Sequence, residues 1–305
     1  MTHPPYVDLP AITAAVSLPA AMDALEEALR AGWPGQDPLR TSVPTRSGEF
    51  LLMPSEGPRY VGIKVITVAP DNPTRRLPRI QGVYVLHDAD SMTPLALFDA
   101  AALTMLRTPA VSAVATRHLA RPDATELVVA GTGPQALGHV HAMRAVRPIE
   151  RVGVVGRTPE STAAFAQKLG DLEIPAYAAG AEDVRKAHVL CLCTTARSPV
   201  VPDTWIGDQA HLNVVGSHEP TAREVETATV ARSHVVVESR EAALAEAGDL
   251  VMALADGVPP SVIIADLAEL VRGATVDTAG ITLFKSVGTG WEDLVVAALA
   301  YERLS

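Results

Sequence analysis

Apolar positions along the chain change their spacing partway, and the change divides it. Near the start, Leu18, Met22, Leu25 and Leu29 recur at helical intervals, which predicts an amphipathic helix from Leu18 to Ala31, stopped by Gly32, Pro34 and Gly35. Strand-like runs follow at Phe50–Met53, Tyr60–Val68 and Gln81–His87, separated by turn-rich stretches such as Ala69-Pro70-Asp71-Asn72-Pro73. Successive strands with no helix between them predict an antiparallel or mixed sheet. After Pro94 a long helical pattern runs through Ala100, Leu103 and Leu106, past Val111, to Leu119.

After Arg121-Pro122-Asp123 the pattern alternates. Runs at Glu126–Ala130, Arg151–Val155, Val189–Cys193 and Ala210–Val215 read as strands, with helices from about Pro134 to Ala145 and Pro159 to Leu169 between them. Such alternation predicts a parallel sheet wrapped by helices. The expected fold class is therefore α/β: a doubly wound, Rossmann-type parallel sheet over residues 112–282, plus a second α+β domain. An apolar helix at Val287–Leu304 is expected to return to that second domain, which then comprises residues 1–111 and 283–305.

Composition narrows the function. The chain has 305 residues, 48% of them hydrophobic, with 25 Lys+Arg against 35 Asp+Glu and a formal net charge of −10. That is a well-cored globular protein, and two domains suit its length. The acidic balance and the lack of a basic patch give no pull toward nucleic acid or an anionic membrane surface. The apolar stretch Leu9–Met22 is broken by Pro10 and Pro19, lacks the charged start of a signal peptide, and falls short of a membrane span. A cytoplasmic protein working on small molecules is expected. Cys191 and Cys193 read as core residues, too few for a zinc site or a disulfide framework. His139 and His141, at i and i+2 of a helix, do not share a face, so no metal is expected.

The strongest motif runs from Leu127 through Ala130-Gly131-Thr132-Gly133-Pro134-Gln135-Ala136, a strand entering G-x-G-x-x-A and then a helix. Gly131 permits the tight turn, Gly133 lets a pyrophosphate approach the backbone, and Ala136 allows close helix–strand packing. Where a site for NAD would place Asp or Glu, at the end of the second strand, the chain has Gly156-Arg157-Thr158. A guanidinium and a hydroxyl suit a 2′-phosphate, so NADP(H) is the expected cofactor and NAD(H) the alternative.

The segments Arg40-Thr41-Ser42-Val43-Pro44, Met53-Pro54, Gly62-Ile63-Lys64, Leu103-Thr104-x-x-Arg107-Thr108-x-Ala110, Gly131–Ala136, Ala210-His211-Leu212-Asn213-x-Val215-Gly216, Arg223-Glu224, Gly248-Asp249 and Phe284-Lys285-Ser286-x-Gly288-x-x-x-Glu292-Asp293 occur in this order. Together they resemble the ornithine cyclodeaminase/mu-crystallin family over nearly the whole chain. The resemblance implies a homodimer whose first domain binds substrate and mediates dimerisation, with the active site in the cleft beside the Rossmann domain. It implies that Arg40, Lys64 and Arg107 hold a substrate carboxylate, an arrangement that two guanidinium forks and an ammonium suit. It further implies that Thr194, Val215, Gly216, Ser286 and Gly288 approach the cofactor. Arg46, outside the matched positions, reads as a solvated surface residue.

The chain departs from that pattern after Val215-Gly216. Cyclodeaminases and alanine dehydrogenases of the family carry an Asp there, and this chain has His218, with Ala222 where they have a Lys. Mu-crystallin-like members, which reduce cyclic ketimines, also lack the Asp and end the second strand in a similar Arg-Thr pair. The expectation is an NADPH-dependent reductase of small, cyclic α-imino acids. Lys64, a bound water or His218 would supply the proton. Two other readings stay open: an NAD-dependent cyclodeaminase or alanine dehydrogenase-like enzyme, and a non-catalytic NADPH-dependent binding protein of mu-crystallin type.

Overall fold

The computed structural model describes residues 3–33 and 37–305, so Pro34 and Gly35, two of the expected helix stops, lie outside the described residues. The chain forms two compact units, one comprising Met1–Ala110 with Thr289–Ser305 and the other Val111–Gly288.

The first unit opens with β1 (Tyr6–Val7), α1 (Leu9–Ala15) and α2 (Leu18–Arg30). The proline-broken stretch is thus two capped helices. Asp8 accepts from the Ala11 amide at 3.0 Å and Ser17 from that of Ala20 at 3.4 Å, while Pro10 and Pro19 sit in first turns that need no amide proton. Five further strands follow: β2 (Thr41–Thr45), β3 (Gly48–Glu56), β4 (Tyr60–Val68), β5 (Ile80–Asp88) and β6 (Pro94–Asp99). The sheet order is β1-β6-β5-β4-β3-β2, antiparallel except for the parallel pairing of β1 with β6. Helix α3 (Ala100–Leu119) begins later than the sequence pattern suggests. Residues from Pro94 alternate in burial as a strand does, and Asp99 then accepts from the amides of Ala101 and Ala102, which starts the helix at Ala100.

The second unit contains β7 (Glu126–Ala130), α4 (Pro134–Val146), β8 (Arg151–Val155), α5 (Pro159–Asp171), β9 (Ala176–Ala178), α6 (Ala181–Lys186), β10 (Val189–Leu192) and β11 (His211–Val214). It continues through α7 (Thr227–Ala231), β12 (Ser233–Val237), α8 (Arg240–Glu246), α9 (Gly248–Ala255), β13 (Ile263–Asp266), α10 (Leu267–Val271) and β14 (Ile281–Lys285). All eight strands are parallel, in the order β13-β12-β14-β11-β10-β7-β8-β9. Because β14 pairs between β11 and β12 in mid-sheet, this unit runs past residue 282 to Gly288. The final helix, α11 (Gly290–Leu304), belongs to the first unit and packs on α2, β3 and β4.

A chain of buried polar groups joins the second unit's part of α3 to α4 and the sheet. His139 Nδ1 donates to the Gln135 carbonyl at 2.7 Å, leaving Nε2 to accept from the Ser112 hydroxyl at 3.0 Å. Thr116 donates to the Ser112 carbonyl, so it accepts from His211 Nε2 at 3.1 Å and from Asn213 at 3.0 Å, while Thr282 donates to His211 Nδ1. Burial pushes His139 down to about 4 and His211 down to about 3 from the ordinary 6.5. Both rings are therefore neutral, and each contributes stability that is full above pH 6.5 and is lost as pH falls toward its folded value. Urea titrations between about pH 7 and 4 should show stability falling with acid. His211→Gln should flatten that slope while costing about 1–3 kcal/mol at neutral pH. An unchanged slope would remove His211 from the acid response.

Candidate active site

In a parallel sheet the ligand crevice lies outside the carboxyl ends of the strands, where the strand order reverses. Here the reversal falls between β7 and β10. Gly131 follows β7 with φ +118°, and a Cβ there would sit 2.6 Å from the Cys193 carbonyl oxygen, so the turn requires glycine. Gly133 is the N-cap of α4, has open space where a Cβ would stand, and offers no capping side chain. The first amides of α4, at Gln135 and Ala136, thus face an uncapped helix start that suits a pyrophosphate. Thr132 and Gln135 are half-buried beside it, and Ala136 is buried against the sheet. The loop fits a dinucleotide.

At the end of β8, Arg157 is exposed and carries no ion pair among the described residues. Thr158 is committed differently from the expectation. Its hydroxyl accepts from the Ser161 amide at 3.2 Å and caps α5. The charge available at this strand end is that of Arg157.

Buried charged groups tie down the remaining loops at these strand ends, and sequence reasoning assigned them no role. Glu224 accepts from the amide and hydroxyl of Thr194 at 2.7 and 2.6 Å, and its other oxygen accepts from the Gly216 amide at 2.7 Å. Burial raises the Glu224 pKa, opposed by the nearby Lys285. Asp249 accepts from the amides of Glu224 and Val225 and pairs with Lys285 Nζ at 3.0 Å, which also donates to the Ser217 carbonyl at 2.7 Å. Glu238 accepts from the amides of Val287 and Gly288 at 2.9 and 2.8 Å. Thr194, Gly216 and Gly288 are therefore held by a fixed frame, and the amides of Val215 and Ser286 beside them donate to the carbonyls of Leu192 and Val214. The signal in the sequence was Lys285, a charge at the end of the apolar run Ile281–Phe284. His218 is half-buried in the loop after β11, whose far side is clamped by Arg197 on Glu219 and Thr221.

The first unit brings Arg40, Lys64 and Arg107 together. Lys64 lies on the buried face of β4 and is 1% exposed; Arg107, on α3, is 5% exposed. Both meet carboxylates from the first turn of α11. Lys64 Nζ donates to Asp293 Oδ2 at 2.7 Å, Arg107 donates to Glu292 Oε2 at 2.7 Å, and Arg107 Nε stands 3.5 Å from Asp293 Oδ1. Arg40, half-buried just before β2, is close enough for its charge to act on Lys64. Burial, reinforced by Arg107, pulls Lys64 down to about 8 against the attraction of Asp293. Arg46 is exposed in the β2–β3 turn. The cluster is a buried cationic site with an ammonium able to release a proton near neutral pH.

Among the described residues, no group of three or more His, Cys, Asp or Glu is placed to hold a metal ion, and no helix is long and apolar enough to cross a membrane. Burial raises the thiol of Cys191 to about 12, so it is protonated at neutral pH.

The chain is similar to proteins of known activity over most of its length. The Delta(1)-pyrroline-2-carboxylate reductase of Bacillus cereus is 40% identical over 278 residues, covering 87% of this chain and 85% of that protein. The ketimine reductase mu-crystallin of Rattus norvegicus is 33% identical over 274 residues, covering 88% of this chain and 85% of that protein. The solved structure of Thermococcus litoralis Delta(1)-pyrroline-2-carboxylate reductase, in complex with NADH and L-proline, superposes with a TM-score of 0.91 at 34% identity, covering 98% of this chain and 96% of that one. The model of the ornithine cyclodeaminase/mu-crystallin family matches residues 9–305. On this match and these identities, the chain belongs to the ornithine cyclodeaminase/mu-crystallin family.

Proposed function

We propose that this protein is an NADPH-dependent reductase of small cyclic α-imino acids, such as 1-pyrroline-2-carboxylate or 1-piperideine-2-carboxylate. The observation that carries the reading is the cluster of Arg40, Lys64 and Arg107, with the Lys64 ammonium drawn down to about 8. The relatives named above bear the same chemistry in their names, and the one from Thermococcus holds NADH and L-proline.

Arg40 and Arg107 hold the substrate carboxylate, which fixes the neighbouring imine carbon. Lys64 donates its proton to the imine nitrogen, because an iminium accepts hydride better than a neutral imine and an acid with a pKa near the working pH transfers protons efficiently. His218, half-buried in the loop after β11, is the alternative donor. The bound nicotinamide supplies the hydride. Gly131, Thr132, Gly133, Gln135 and Ala136 receive its pyrophosphate, Arg157 its 2′-phosphate, and the framed loops at Thr194, Val215, Gly216, Ser286 and Gly288 its nicotinamide half. A pure binding protein would have no use for a buried proton-donating ammonium. Cyclodeamination lacks its carboxylate at His218, since an imidazole does not hold a substrate ammonium as an ionised Asp does.

A homodimer is part of this reading. The face of the six-stranded sheet opposite the core carries Val43, Phe50, Leu52, Val65 and Val83 in register across β2, β3, β4 and β5. Val43 is 43% exposed and Phe50 39%. A contiguous apolar sheet face of this kind suits an isologous interface.

Each part has its test. The wild-type enzyme should oxidise NADPH with at least one cyclic imino acid and release no ammonia from ornithine; proline and ammonia formed from ornithine at a comparable rate would restore the cyclodeaminase reading. Arg157→Asp should weaken NADPH by about 10- to 100-fold, as loss of a bond to a charged group implies, and NADH by less than about threefold. Equal loss of both would dissociate Arg157 from cofactor choice. Phe50→Asp with Val83→Asp should convert a dimer into a monomer by light scattering, and an unaltered mass would place the interface elsewhere.

A further inference from the structure

We propose that Asp293 is a positioning residue for proton transfer: its carboxylate aims the Lys64 ammonium and keeps it charged, while the adjacent Glu292 performs the separate task of fixing Arg107. This deepens the reading of Lys64 as proton donor and rests on it.

Consecutive residues on a helix point about 100° apart, so neighbouring carboxylates do not ordinarily serve one buried cluster. Here Glu292 and Asp293 are both fully buried, and each accepts its hydrogen bond from a different cation on a different element. The helix start that delivers them lies close to the sheet. A Cβ on Gly290 would stand 2.6 Å from the Pro54 carbonyl oxygen, so only glycine lets the first turn of α11 approach β3 this closely. Buried carboxylates are costly unless paired and hydrogen-bonded, which makes their cationic partners the reason both are tolerated.

The groups around Lys64 divide the labour. Across the strands it faces Met53 on β3 and Tyr84 on β5, whose buried hydroxyl has no hydrogen-bond partner among the described residues. From α3 comes Arg107, from the segment before β2 comes Arg40, and from α11 come Glu292 and Asp293. Asp37 lies near enough to Tyr84 to act on it electrostatically. Arg107 and Arg40 repel the ammonium and burial disfavours it; Asp293 alone among these is hydrogen-bonded to it. Its second oxygen faces Arg107 Nε, so one carboxylate holds two cations that would otherwise repel each other.

A Lys64 N–H bond breaks as the substrate N–H bond forms. The imine carbon gains hydride from NAD(P)H, which is oxidised, and the neutral amine of Lys64 recovers its proton from solvent. Because only the protonated amine is competent, activity is present below the Lys64 pKa and falls as pH rises through about 8. Losing Asp293 lowers that pKa and draws the basic limb to lower pH.

The experiment is a pH profile of 1-pyrroline-2-carboxylate reduction by NADPH in the wild type and three variants. Asp293→Asn should move the basic limb down by about one pH unit or more, with KM at the acid end changed less than about threefold. Asp293→Glu, which keeps the charge, should leave the limb in place and lower kcat by about tenfold through displacement of the ammonium. Glu292→Gln should raise KM by about tenfold or more with the limb unmoved. If Asp293→Asn does not fold, Asp293→Glu decides: a retained limb with reduced kcat and steady KM supports the assignment, and any other combination overturns it. An active wild type whose limb does not move in Asp293→Asn overturns this proposal alone. A wild type that reduces no cyclic imino acid overturns the functional reading and this proposal with it.

Discussion

A lysine with 1% of its surface exposed is a demand on the whole chain. An unpaired ammonium in such a place would cost several kcal/mol, and its stabilising carboxylate comes from a residue 229 positions away. The first unit therefore cannot be closed by the chain that starts it. After α3 the polypeptide builds a complete second unit, and only then returns with α11 to place Glu292 and Asp293 against Arg107 and Lys64. The helix buries an apolar stripe, including Trp291 and Leu294, but the ion pairs set its register: a shift of one residue would leave two cations and two carboxylates buried without partners.

The second unit uses buried charge in a different manner. Glu224, Asp249 and Glu238 accept backbone amides from segments that follow β10, β11 and β14, so loops that would otherwise be the most mobile parts of the sheet are fixed from beneath. A carboxylate with several amide donors is well satisfied, and Lys285 offsets part of the accumulated negative charge. Rigid loops suit a crevice that must hold a large cofactor in one orientation.

Much of this was legible in the sequence. The runs Glu126–Ala130 and Arg151–Val155 are strands with the limits their patterns suggest, because fully buried parallel strands are continuous apolar runs bounded by turn residues. The glycine loop was legible because its residue types are dictated by local backbone geometry. The stretch from Pro94 to Asp99 is strand where the pattern suggests helix, since a short apolar run next to a long helical pattern has no period of its own; Asp99, which caps the nearby amides of Ala101 and Ala102, was the local sign of the true helix start. The resemblance to the family pointed to Arg40, Lys64 and Arg107 as a site, and it matched Glu292 and Asp293 without pairing them with Arg107 and Lys64. Glu292 is 185 residues from Arg107, and no local pattern pairs them. Thr158 was legible as a polar residue at the right place, yet its hydroxyl is claimed by the start of α5.

The split of the first unit into two chain segments has a consequence for how the molecule is made. On the ribosome the N-terminal segment emerges with its sheet strands and its buried lysine, but without the helix that completes its core. The second unit is continuous in sequence, and all of its strand pairings are available once β14 has been synthesised. It can close while the earlier segment is still incomplete. Until α11 leaves the exit tunnel, the first unit exposes the apolar surface that this helix will cover, the condition in which nascent chains recruit chaperones or aggregate. A premature stop that removes α11 would therefore harm the opposite end of the polypeptide, leaving a finished second unit attached to a first whose buried lysine has lost its carboxylate.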